Sequence, residues 1–174
     1  MAFAIRRGLL AATVLLFAGA CDASAGGAEV TAPSPTGEAR QACEALADEL
    51  PDEVDGQERG TASVDSPFVA VWGDPAIVLR CGVARPAALT PGTESYDPIG
   101  ADVLGVNDVF WLPEERSDGV RFTTVERAFF VEMTVPDDYA PEVNPLLDVA
   151  APIIDHIPPD ALNSPPDADH DDHG

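Results

Sequence analysis

The chain is predicted to fold as an α+β domain: an antiparallel sheet of four to six strands, with an N-terminal and a C-terminal helix packed on one face. Three patterns carry that expectation. Apolar residues recur at helical spacing through 42–50, alternate with a period of two through 129–135, and return to helical spacing through 143–154. Helices that flank a run of strands instead of alternating with them belong to the α+β layer pattern.

The elements follow in order. Ala42, Leu46, Ala47 and Leu50 share a helical face and Pro51 ends the pattern, which predicts a helix over 38–50. Residues 68–72 and 76–83 are apolar and β-branched, and Gly73-Asp74-Pro75 between them predicts a hairpin of two well-buried strands near the centre of the sheet. Residues 103–106 and 109–112 flank Asn107-Asp108, which fits either a turn or one bent strand. Residues 120–125 pair with 127–135, where Phe129, Val131, Met133 and Val135 share one face and Glu126, Phe130, Glu132 and Thr134 the other. Pro136 ends that strand because it has no ladder donor. Val143, Leu146, Leu147, Ala150, Ala151 and Ile154 mark the second helix, with Pro145 near its first turn and Pro152 limiting its end.

The ends differ from this centre. Arg6 and Arg7 precede an uncharged run from Gly8 to Ala20, and small residues lie directly before Cys21. That order predicts a secretory signal over 1–20. The run is too short to span a bilayer core, which takes about 20 apolar residues. Ala18-Gly19-Ala20-Cys21 resembles a bacterial lipobox, with Ala18 where leucine is usual, and implies a lipid on Cys21. Ordinary cleavage at an A-x-A-like site would instead leave Cys21 a free thiol. Residues 21–37 have the small, polar and Pro-rich composition of a flexible tether, and 159–174 that of a disordered acidic His/Asp tail. A single domain over 38–158 remains.

Charge excludes one class of partner. Net charge is -22, and two units more negative once Arg6 and Arg7 leave with the signal, so nucleic acid is repelled. All nine basic residues are arginine.

With Cys21 assigned to lipid, Cys43 and Cys81 remain for an oxidising compartment, and a helix-to-sheet disulfide is the economical pairing. Two buried reduced thiols are the alternative. The bridge requires Cα atoms closer than about 7 Å.

The sequence carries few motifs of known chemistry. No G-x-S-x-G, H-E-x-x-H, P-loop or Rossmann glycine pattern occurs, and no catalytic residue is assigned. His156 is the one histidine of the domain, and a Cys81–His156 pair requires an unbridged Cys81. His170 and His173 lie in an Asp-rich tail that could share a divalent ion or simply be solvated. Arg80 and Arg127 fall inside predicted strands, where a guanidinium needs a partner. That partner is either an internal carboxylate (Glu126, Glu132 or Asp74) or an anion or partner bound on the sheet. Trp72 and Trp111 are expected in the core or covering the sheet.

The runs Arg40-Gln41-Ala42-Cys43 through Leu50-Pro51, Trp72-Gly73-Asp74-Pro75-Ala76-Ile77-Val78-Leu79-Arg80-Cys81-Gly82-Val83, Val106 with Trp111, Phe122 to Arg127 and Val131 to Pro136 resemble the actinobacterial family catalogued as domain of unknown function 3515. The tryptophan-to-cysteine block is the most specific part. The resemblance implies envelope proteins, often predicted lipoproteins, without an assigned activity, and so supplies no catalytic residue to carry over.

The expected function is therefore that of a non-enzymatic binding or accessory lipoprotein at the extracytoplasmic face of the cell membrane. It meets the membrane through its anchor and an envelope protein or cell-wall component through its domain, and no cofactor is expected. The alternatives are an envelope enzyme with an unrecognised carboxylate-based site, and metal binding through the tail.

Overall fold

The computed structural model describes residues 29–161. Cys21, the expected signal, and His170 and His173 lie outside them.

Gly37, with φ +59, opens helix α1 (Gly37–Glu49), and Cys43 and Leu46 are its buried residues. A small hairpin follows, β1 (Glu53–Val54) with β2 (Gln57–Glu58), which sequence patterning did not reveal. Only Val54 of it is fully buried, and two residues per strand are too few to show alternation. Then come β3 (Val69–Trp72), β4 (Ile77–Val83), β5 (Leu104–Val106), β6 (Val109–Arg116), β7 (Gly119–Val125), β8 (Phe130–Pro136) and α2 (Asn144–His156).

The six longer strands form one antiparallel sheet in the order β3-β4-β8-β7-β6-β5. β4 and the last strand, β8, therefore pair inside the sheet, whereas β3, expected near the centre, is an edge strand: its burial on both faces comes from the chain at 58–60 beside it and not from a second neighbouring strand. The chain leaves β4, crosses to the far edge through residues 84–103, and returns as a meander. Asn107 and Asp108, at φ +46 and +63, make the two-residue turn between β5 and β6. This is a hairpin and not a bent strand, because two successive left-handed residues reverse the chain with the twist that paired strands need.

Alternation sorts the sheet into two faces. Trp72, Ile77, Leu79, Cys81, Trp111, Phe122, Val131, Met133 and Val135 join one buried cluster with Cys43 and Leu46 of α1 and Leu146, Val149 and Ile153 of α2. Helix α1 contacts α2 and β4, while α2 also contacts β1, β5 and β6. The other face carries the intervening residues: Val69, Val71, Leu112, Thr123, Val125 and Glu132 are buried on it, and Arg80, Glu114, Arg121 and Thr134 add its other polar groups.

Three further expectations are corrected. Arg127 is not in a strand: β8 begins at Phe130, and Glu126 at φ +61 turns the chain away after β7. Pro152 lies inside α2 rather than at its end, since Ile153, fully buried, holds the last turn against the core despite the missing N–H. The apolar stripe on α2 is also rotated. Leu146, Val149, Ala150 and Ile153 are buried, whereas Val143, Leu147 and Ile154 are exposed. A helix apolar on most of its circumference does not reveal by period which side the core takes.

Candidate functional site

Strand β4 lies between β3 and β8, so its side chains on the polar face have neighbours on both sides. Arg80 is one of them, opposite Glu132 of β8 in register. Its Nε and Nη2 both donate to Glu132 Oε1, at 2.9 and 2.6 Å. Glu132 is 7% exposed, so its charge needs this partner. On β7, Arg121 stands diagonal to Glu132 at 3.9 Å and opposite Glu114 of β6, to which it bonds at 2.9 Å. The hydrogen bond to Glu114 raises the Arg121 pKa, and the fields of Glu114 and Glu132 add to it against the opposing effect of burial. The result is a ladder of alternating charge, Glu114–Arg121–Glu132–Arg80, across four adjacent strands.

The N-terminal segment lies against this ladder. Arg80 Nη1 donates to the Thr31 carbonyl at 3.2 Å, and the Val30 N–H donates to Ser63 Oγ at 3.1 Å. Pro35 sits over Gly82, where the β4–β8 register shifts and φ is +84. A Cβ on Gly82 would come within 2.6 Å of the proline ring. Segment and ladder enclose a groove of about 290 Å³, lined among others by Thr31, Arg80, Arg116, Arg121, Glu132 and Thr134.

Arg80 thus has the internal carboxylate partner that the sequence allowed, and it also faces a groove. Arg127 is elsewhere and does different work. Its Nη1 donates to the Ile157 carbonyl at 3.0 Å and its Nη2 to the Asp108 carbonyl at 3.1 Å, tying the end of α2 to the β5–β6 turn. Burial lowers its pKa against the opposing fields of Asp108 and Glu126. The two arginines do not form one site. Arg121, Glu114 and Arg116 were not singled out from sequence, although alternation with the core residue Phe122 places Arg121 on the polar face.

Cys43 and Cys81 are joined in a disulfide, with Cα atoms 5.5 Å apart. Cys81 therefore has no thiol to offer His156, which lies half-buried in the last turn of α2, just before the C-cap residue Ile157. Trp72 and Trp111 are both fully buried. Trp72 Nε1 donates to the Pro51 carbonyl at 3.0 Å, while Trp111 Nε1 has no partner among the described residues. Among those residues, no group of three or more His, Cys, Asp or Glu is placed to hold a metal ion.

A family model described as "Protein of unknown function (DUF3515)" matches residues 1–162. The chain belongs to this family. No curated protein and no solved structure matches it. The DUF3515 description names no activity, so no residue role comes with membership. The chemistry of this DUF3515 chain rests on its own side chains: a cross-strand charge ladder, a groove beside it, and a helix-to-sheet disulfide.

Proposed function

We propose that the chain is an exported lipoprotein, held by a lipid on Cys21 at the extracytoplasmic face of the cell membrane, whose domain is a non-enzymatic binding or accessory module of the envelope. The observation that carries this reading is the Cys43–Cys81 disulfide. Structural disulfides persist in oxidising compartments and are rare in the cytosol. The charged n-region, the apolar run and the lipobox-like Ala18-Gly19-Ala20-Cys21 supply a route out and an attachment point. Acyl chains contribute about 0.8 kcal/mol per buried CH2, so two or three give durable anchoring. The groove beside Arg80 and Arg121 is the domain's polar recognition surface, because its charges are already held in place before anything binds.

Cells expressing the full chain and fed labelled palmitate test this. The wild type takes up label and sediments with membranes, and Cys21→Ala does neither. A Cys21→Ala chain that stays fully labelled, or an unlabelled wild type in the soluble fraction, overturns the proposal.

A further inference from the structure

The two edges of the six-stranded sheet are treated differently. Beside β3 runs the chain at 58–60: the Gly60 N–H donates to the Val71 carbonyl at 2.8 Å, and the Gly73 N–H donates to the Glu58 carbonyl at 3.1 Å. Arg59 bridges to Trp72 on the same edge. Strand β5 has nothing comparable. It pairs only with β6, and among the described residues no backbone hydrogen bond reaches its outer side. An edge strand turns every second N–H and C=O outward, and proteins blunt such edges with lysine, proline or a bulge. Leu104-Gly105-Val106 has no lysine, proline or bulge, and only its shortness, three residues, limits pairing along it.

Among the described residues, four of the seven exposed large apolar residues lie on β6 or in the segment leading into β5. Val103 precedes β5, and Phe110 lies opposite Gly105 in the β5–β6 register. Tyr96 and Ile99 are in the segment leading into β5, and Ile99 is 96% exposed. The other three are Val143, just before α2, and Leu147 and Ile154 on α2, which contacts α1 and β1 as well as β5 and β6. No large apolar residue is exposed on any other element among the described residues. An open edge with apolar side chains beside it is the geometry of strand addition.

Charge identifies the kind of partner. Asp102 and Asp108 stand exposed on either side of β5, and Asp155 is exposed on α2, whereas Asp148 accepts the Asp55 N–H at 2.8 Å. The guanidinium nearest the β5–β6 turn, Arg127, is committed to carbonyls. A second copy would bring net charge -22 against -22. The geometry points to an extended segment of another protein, apolar at alternate positions with Lys or Arg between, adding to β5 as a seventh strand. The inference gives the partner class for a binding module and does not depend on the lipid anchor.

The test uses the full chain and two labelled peptides of about eight residues, one alternating Val with Lys and one alternating Val with Glu, followed by fluorescence anisotropy. The Val/Lys peptide is expected to bind at least about tenfold more tightly than the Val/Glu peptide, a charge-complementarity effect of modest size. Val103→Lys is expected to weaken it about tenfold with an unchanged melting temperature, and Val103→Thr to retain it. Equal binding of both peptides, or full binding by Val103→Lys, overturns the inference. So does concentration-dependent self-association that Val103→Lys relieves, since the occupant is then a second copy. Palmitate labelling does not enter this measurement, so either proposal can fail while the other stands.

Discussion

Glu132 shows how a sheet accommodates a charge that alternation puts on a partly covered face. Its carboxylate is nearly buried and takes two donors from Arg80, which is itself about a quarter exposed at 27%. Removing one member of such a pair leaves the other desolvated and unmatched, so Arg80→Ala should cost about 2 kcal/mol, less than a fully buried pair because water still reaches the guanidinium. Arg40→Ala, which breaks an exposed i,i+4 pair with Glu44, should cost no more than about 0.5 kcal/mol. Urea titrations of both variants settle the contrast, and equal losses would show that burial does not govern these pairs. Gly82 makes the matching case for backbone. Gly82→Ala combines a left-handed φ with a collision against Pro35 and should cost about 1–3 kcal/mol. Hydrogen exchange should then quicken at Val30, where the N-terminal segment docks through Ser63.

At the scale of elements, the disulfide and a tyrosine fasten pieces that secondary structure alone leaves separate. Cys43–Cys81 ties α1 to β4 across 38 residues of chain. In the chain-entropy model that closure contributes about 3–4 kcal/mol, so Cys43→Ala/Cys81→Ala should lower the urea midpoint by that equivalent. A loss below about 1 kcal/mol would mean that the reduced unfolded chain already keeps the two ends together. Tyr139, just after β8, donates its hydroxyl to the Pro75 carbonyl at 2.7 Å and so pins the β3–β4 turn. Its pKa is raised, first by burial and then by the fields of Asp138, Asp74 and Asp55, against one opposing backbone hydrogen bond. The folded pKa therefore lies above the unfolded value of about 10. Its contribution is whole below that value and is lost as pH climbs through the folded pKa, because a phenolate cannot donate. Stability measured between neutral and strongly alkaline pH should fall less steeply in Tyr139→Phe than in the wild type; parallel curves would remove Tyr139 from the account.

At the scale of the whole molecule, net charge dominates. A chain at -22 repels itself, and salt screens that repulsion over about 10 Å at 0.1 M. Thermal midpoints should therefore rise between low and moderate sodium chloride. A midpoint that falls would mean that the Arg80, Arg121 and Glu132 ladder outweighs the general repulsion.

The two helices, the β3–β4 hairpin and the β8 alternation were legible because each is a periodic run bounded by Pro or Gly, and periodicity is a local property. The β1–β2 hairpin is too short to carry a period, and Arg127 reads as part of a strand because Ala128 to Val131 after it are apolar, although Glu126 breaks the extended path. Of the candidate site, Arg80 was legible as a charge inside an apolar run. Its groove was not, since Thr31, Arg121 and Glu132 come from segments far apart in the chain. The amino-acid order by itself determined the fold class, the strand-forming runs, the acidic surface and the economy of pairing Cys43 with Cys81. Tertiary structure decided the strand order, the side of α2 that meets the core, and which sheet edge is left open. Those depend on contacts between distant segments, where burial of a shared face selects one of several arrangements that local pattern permits equally.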